Sequence, residues 1–265
     1  MLTCEVDSDL AEIVSVMLFE GGALAVGEEP TGDRVLLRAG FESEADARTA
    51  AEMIADWGTA TVTMVAPTWQ DEQRDGFVPT TVGPWHLTMP DIESAPPDRV
   101  HLRIDPGRAF GHGAHPSTRL LLELLAIADP ASGVVLDVGT GTGVLAIAAA
   151  SLGATVTAVD IDPIAVECAQ ANVDRNDVAD LVEVALLDGG SAEPFAPCAL
   201  AMVNVTIDQH RRIAPQLDGA ARILVSGLLE HQLAEAVHVY RRRIVNSATA
   251  EGWVAALLEG DPLGR

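Results

Sequence analysis

Through the first 66 residues apolar and polar positions alternate in short runs, interrupted twice by stretches with helical spacing. The alternation predicts strands near Leu2 to Val6, Leu24 to Gly27, Arg34 to Phe41 and Ala60 to Val65. The helical spacing predicts helices over Leu10 to Glu20 and Ser43 to Trp57, the second entered through Ser43 as an N-cap with acidic residues in its first turn. Strand, helix, strand, strand, helix, strand is the order of a split βαβ, ferredoxin-like α+β unit. It contains no nucleophile and base at legible spacing, so residues 1–66 read as a docking domain for a substrate, with a structural appendage as the alternative. Residues 67–98 then read as a linker, because Pro79, Pro84, Pro90, Pro96 and Pro97 interrupt any regular element, with Trp69, Phe77 and Trp85 ordering parts of it.

Residues 99–265 alternate strand and helix, which calls for a mostly parallel sheet covered on both faces. A strand at Val100 to Ile104 and a helix from Ser117 to Ala128 are followed by strands at Val134 to Val138, Thr155 to Asp160, Leu181 to Ala185, Leu200 to Asn204 and Ala221 to Ser226. Ile244 to Ala248 and Trp253 to Leu258 would close a seven-stranded sheet as a hairpin. The expected fold is therefore a Rossmann-like α/β domain preceded by a small ferredoxin-like one.

Composition narrows the partners. The formal charge of −23, from 39 acidic and 16 basic side chains in 265 residues, repels polyanions and disfavours direct nucleic-acid contact. The same field attracts a basic protein, although acid displayed for solubility is an equal reading. Cys4, Cys168 and Cys198 are far apart and show no zinc or disulfide spacing, which suits a reducing cytoplasm. The acidic start MLTCEVDSDL does not resemble a secretory signal, and no apolar run approaches the roughly 20 residues of a membrane span.

Four stretches carry chemistry. In VVLDVGTGTGVLAIAAA a strand runs into Gly139, Gly141 and Gly143 and then into a helix, the arrangement of a ligand-binding turn. A dinucleotide fingerprint would need a glycine at the position of Val144, so a pyrophosphate cofactor is disfavoured and the spacing fits S-adenosylmethionine. Asp160, ending the next strand in AVDIDP, can accept both ribose hydroxyls of an adenosine, with capping of the following helix as the alternative. The loop DPGRAFGHGAHPST, Asp105 to Thr118, suits a segment folded over a ligand. Its Thr118 can either cap the helix or contact the cofactor, while His112 and His115 lack further ligands at metal-binding spacing. Asn204 ends the strand LAMVN, where its carbonyl oxygen can accept a hydrogen bond from a substrate amine, the alternative being a turn-forming Asn.

Together these stretches resemble the bacterial family that methylates large-subunit ribosomal protein eleven, over the whole chain. That family's DPGxAFGTGxHPTT loop stands here as DPGRAFGHGAHPST, its GxGxGxLAIAA turn as GTGTGVLAIAA and its IDIDPxA segment as VDIDPIA. Its SG(I/L)L segment is matched by Ser226 to Leu229. The resemblance implies a class I methyltransferase domain with S-adenosylmethionine as cofactor, methylating lysine and/or N-terminal amines of a basic ribosomal protein. It implies that Thr118, Gly139, Asp160 and Asn204 contact the cofactor and that the N-terminal part recognises the substrate. Two departures bear on the substrate: NVTI, Asn204 to Ile207, stands where the family has NILA, and His112 where it has Thr. A related family acts on a mitochondrial electron-transfer flavoprotein, so the scaffold is retargetable.

The implied reaction is in-line methyl transfer with a neutral leaving group, for which alignment is the main requirement. An amine with a pKa of about 10 must be bound or made neutral in the cleft. Rival readings are a small-molecule N- or O-methyltransferase, a cofactor-binding regulatory protein without catalysis and, given the charge, least of all an RNA methyltransferase.

Overall fold

The computed structural model describes residues 1–8, 10–23, 25–32, 34–41, 43–63, 79–92, 95–107, 113, 115–130, 133–190 and 193–260. The chain divides into two units, Met1–Asp71 and Glu72–Arg265.

The first unit contains β1 (Leu2–Asp7), α1 (Ala11–Glu20), β2 (Ala25–Thr31), β3 (Arg34–Gly40), α2 (Glu44–Met53) and β4 (Thr59–Val62). Strand alternation turns Leu2, Cys4 and Val6 of β1 and Val35, Leu37 and Ala39 of β3 to one face, where Val14, Leu18, Ala50 and Ile54 of the helical layer bury them. The sheet order is β2-β3-β1-β4, with every pairing antiparallel, as a split βαβ unit requires. Ser43 caps α2, its Oγ accepting from the Asp46 amide at 3.2 Å. The helix stops at Met53 rather than Trp57, because Ile54 to Gly58 form the turn into β4. The expected strand start at Leu24 and strand end at Met64 and Val65 lie outside the described residues.

The second unit contains β5 (Thr80–Val82), β6 (Trp85–Thr88), β7 (Val100–Arg103), α3 (Pro116–Ala128), β8 (Val134–Val138), α4 (Val144–Ser151), β9 (Thr155–Asp160) and α5 (Pro163–Arg175). It continues with β10 (Val182–Leu186), β11 (Cys198–Asn204), α6 (Ile207–Ile213), β12 (Ala220–Leu229), α7 (Leu233–Tyr240), β13 (Arg243–Ala250) and β14 (Trp253–Glu259). The large sheet has seven strands in the order β10-β9-β8-β11-β12-β14-β13, parallel from β10 to β12 and closed by the antiparallel β14 and β13. Along β11, Leu200 and Met202 face one apolar cluster and Ala201 and Val203 the other, so period-two alternation feeds a core on each side. Helix α4 is buried all round, from Val144 to Ala150, as a helix packed within a core must be.

The linker reading of residues 67–98 is corrected in part. Thr80–Val82 and Trp85–Thr88 form β5 and β6, which join β7 in a three-stranded sheet. Val82, Trp85, Leu87 and Met89 belong to the core of the second unit, and Trp85 donates its indole N–H to Ser151 Oγ on α4 at 2.8 Å. The prolines flank these strands instead of interrupting them: Pro84 sits in the turn between β5 and β6 and Pro79 before β5. Trp69 and Phe77 lie outside the described residues.

Candidate active site

Sheet register brings three of the expected residues level with one another. Val138 of β8 pairs with Val159 of β9 and with Val203 of β11, so the next residue on each strand is Gly139, Asp160 and Asn204. β8 lies between these two, and the chain proceeds outward from it in opposite directions, to β9 and β10 on one side and to β11 and β12 on the other. The carboxyl end of the strands at such a switch point is where open α/β sheets bind ligands.

Asn204 is held there by a residue from a distant part of the chain. Its Nδ2 donates to Thr118 Oγ1 at 3.2 Å. Among the described residues no donor reaches its Oδ1. Thr118 is buried in the first turn of α3 and is not its cap: that position belongs to His115, whose Nδ1 accepts from the Ser117 amide at 3.3 Å, with Pro116 opening the helix. His115 also meets Trp253 edge-on, with ring centroids 4.7 Å apart. Phe110 and His112 of the same loop lie outside the described residues. Among the described residues no group of three or more His, Cys, Asp or Glu is arranged to hold a metal.

The capping alternative for Asp160 is likewise taken by a neighbour. Asp162 caps α5, its Oδ1 accepting from the Ile164 amide at 2.8 Å. Asp160 instead ties the glycine turn to β9: Oδ2 accepts from the Gly141 amide at 2.9 Å and Oδ1 from the Asp162 amide at 3.1 Å. Each oxygen keeps a lone pair for a further donor. Gly139, Gly141 and Gly143 all have positive φ, at 76°, 55° and 82°. Gly143 has a packing reason as well, since a Cβ there would lie 3.2 Å from both Cα and Cβ of Ala169 on α5. A small open cleft adjoins the turn, lined by Val138, Gly139, Asp160, Leu187, Asp188 and Arg212 among others. Asp188 is balanced by Arg212, 3.1 Å away, whereas among the described residues no ion pair is made by Asp160.

Two buried polar groups beside this site were not singled out from sequence. Asp137 follows Val135 by two on β8, so it points into the face covered by α3 and α4; it is fully buried. Thr140 Oγ1 donates to its Oδ2 at 2.6 Å. Burial, aided by the charge of Asp160 and opposed by the Thr140 hydrogen bond, pushes this carboxyl up to about 7. A carboxyl among the apolar residues of VVLDV was the available signal. The folded value lies above the ordinary 3.8, so between the two the folded protein retains a proton that the unfolded chain has released. The stability this contributes is complete at low pH and is lost as pH rises through about 7. Asp137→Asn keeps the shape and removes the titration. Calorimetric Tm measured from about pH 4 to about pH 8 should fall less steeply for this variant than for the unaltered protein. Parallel curves for the two proteins would mean that Asp137 remains ionised throughout.

The second group is His210 of α6. Its Nε2 lies 2.9 Å from Ser226 O and its Nδ1 2.8 Å from the Tyr240 hydroxyl. A carbonyl only accepts, so Nε2 carries the proton and the tyrosine donates to Nδ1. Burial lowers the imidazole to about 4 and raises the Tyr240 phenol, which keeps this arrangement neutral. Ser226 O also accepts from the Val205 amide at 3.3 Å, so the network fixes the backbone that follows Asn204.

Comparison with known proteins now decides the family. A profile described as ribosomal protein L11 methyltransferase (PrmA) matches residues 8–259. The chain belongs to this family. Ribosomal protein L11 methyltransferase of Methylococcus capsulatus is 34% identical over 289 residues, covering 96% of each chain. The protein of the same description from Shewanella sediminis is 32% identical over 90% of each. Among solved structures, ribosomal protein L11 methylase from Lactobacillus delbrueckii subsp. bulgaricus superposes with a TM-score of 0.60 and 26% identity, over 66% of this chain and 94% of that one.

The expected class I methyltransferase fold is thus the one this L11 methyltransferase family member has, and the chain is a methyltransferase that uses S-adenosylmethionine. The site fits that cofactor. A ribose diol is a pair of donors suited to Asp160, a cationic sulfonium suits a cleft with an unbalanced carboxylate, and the glycine turn leaves out the side chains that would fill the approach. No described helix is long and apolar enough to cross a membrane.

Proposed function

We propose that this chain methylates amines of ribosomal protein L11, at lysine side chains and/or the N-terminal amine, and that Asn204 aligns the attacking nitrogen. The reading rests on the names its family relatives carry, on the net charge of −23, which favours a basic partner, and above all on the Asn204–Thr118 pair. Thr118 Oγ1 engages the amide nitrogen of Asn204 and so turns the carbonyl oxygen toward the incoming amine. An amine N–H donated to Oδ1 aims the nitrogen lone pair along the line of attack.

Bound S-adenosylmethionine supplies an electrophilic methyl on a sulfonium. Gly139, Gly141 and Gly143 give it a close backbone approach, and Asp160 receives its ribose hydroxyls, held in place by the Gly141 and Asp162 amides. A protonated amine has no lone pair for attack, so the cleft has to admit the neutral form. The apolar walls around Val138, Leu187 and Val205 favour that form by desolvation, and the carboxylates oppose it. Residues 1–66 are assigned to substrate recognition and residues 99–265 to catalysis. A ribosomal protein as substrate implies work in the cytoplasm, with no need for direct contact with nucleic acid or membrane.

The test is intact-mass spectrometry of unmethylated L11 incubated with the purified protein and S-adenosylmethionine bearing a deuterated methyl group. Mass increments of one or more labelled methyl groups on L11 are expected. Label found in a metabolite fraction and never on protein would replace the reading with a small-molecule methyltransferase; cofactor binding with no transfer to either would replace it with a regulatory protein.

A further inference from the structure

Helix α5 carries two asparagines one turn apart, and both use their side-chain amides as though they were pieces of β-strand. Asn176, the residue ending the helix, accepts at Oδ1 from the Arg103 amide at 2.9 Å and donates from Nδ2 to the Arg103 carbonyl at 2.8 Å. Asn172 does the same to Asp105, accepting from its amide and donating to its carbonyl, both at 2.9 Å. Arg103 and Asp105 are alternate residues of one extended segment, so their backbone groups face the same edge. The opposite edge is already used: β7 pairs with β6, and the Ile104 amide donates to Thr88 O at 2.9 Å. The two amides therefore take the place of the next strand on the open edge of the three-stranded sheet.

Asn172 differs from Asn176 in a further bond. Its Nδ2 also donates to the carbonyl of Thr142 at 2.9 Å, inside the turn between Gly141 and Gly143. Arg175 donates to its Oδ1, so two donors and two lone pairs are all used, and the side chain is fully buried. No other short side chain can do this: aspartate has no donor for the two carbonyls, and leucine can neither accept from the Asp105 amide nor donate to the Asp105 and Thr142 carbonyls. One amide thus joins the first residue of the DPG loop, the helix α5 and the glycine turn.

We propose that Asn172 is a positioning residue for the cofactor cleft, coupling the start of the Asp105–Thr118 loop to the glycine turn through Thr142. The inference rests on the reading of the turn as the S-adenosylmethionine site. It assigns to Asn176 only the docking of β7, because that amide does not reach the turn.

Calorimetric titration of S-adenosylmethionine into Asn172→Ala, Asn172→Ser and Asn176→Ala separates the two roles, with Tm and amide hydrogen exchange measured on the cofactor-free proteins. The serine variant admits a water into the vacated space and serves if the alanine variant does not fold. Both Asn172 variants should bind at least about tenfold more weakly, and the Asp105 amide should exchange at least about tenfold faster, whereas Asn176→Ala should bind within about threefold of the unaltered protein at a comparable loss in Tm. Undiminished affinity in the Asn172 variants, or an equal loss in Asn176→Ala, overturns the coupling. If the unaltered protein binds no cofactor, the reading of the cleft fails instead, while the Asp105 exchange rates still report whether the clamp exists.

Discussion

Asn204→Ala is expected to lower kcat by about a hundredfold or more while changing the dissociation constant of S-adenosylmethionine by less than about threefold, because an aligned near-attack geometry is worth at least that much in rate. The asymmetry follows from what the side chain does in the folded protein. Asn204 spends its amide nitrogen on Thr118, and no described residue uses its carbonyl oxygen, which makes that oxygen available to the amine and unnecessary to the glycine turn. Single-turnover rates set beside calorimetric affinities read the two quantities separately. Large and equal losses in both would transfer Asn204 from substrate alignment to cofactor binding.

Gly227→Ala should have the largest effect on stability. Gly227 lies in the irregularity of β12 between Val225 and Leu228, at φ 78°. A Cβ added there would stand 2.3 Å from the carbonyl oxygen of Val205 and 2.8 Å from its C and N. These are backbone atoms of the residue after Asn204, so no side chain can swing aside to make room. Left-handed strain of about 1–2 kcal/mol and overpacking of about 1–3 kcal/mol give an expected destabilisation of about 2–5 kcal/mol. Urea unfolding measures it, and methyl transfer should fall by more than the folded fraction does, since relief of the clash has to displace the segment carrying Asn204. A variant with unchanged midpoint and rate would show that the bulge yields freely at that point.

Which parts of this were legible beforehand depends on how local their signals are. The glycine turn and Asp160 announce themselves because strand, turn and helix follow in sequence, and the strands at the centre of the large sheet, β8, β11 and β12, carry apolar runs. β12 runs on to Leu229, beyond the expected Ser226, because a bulge at Ser226–Gly227 lets the strand continue past a glycine that reads as a stop. β5 and β6 were hidden for the opposite reason: strands of three and four residues between prolines resemble a linker, and only the burial of Trp85 and Leu87 reveals them as core. The adjacency of β8 and β11, and with it the meeting of Asn204 and Thr118 across 86 positions of chain, is a property of sheet order, which no local pattern encodes. Asn172 escaped notice because a polar residue on an amphipathic helix reads as surface; of its four hydrogen bonds with nitrogen and oxygen atoms only that from Arg175 is local, and the other three go to Asp105 and Thr142, far away in the chain.

β11 is hydrogen-bonded on both sides, to β8 and to β12. A residue at the tip of such a strand inherits the reluctance of the whole sheet to open, since its backbone is released only when two ladders part together. The residue proposed to aim the nucleophile thus stands on a strand clamped from both flanks, so that the sheet, and not the connections around it, sets where its backbone lies.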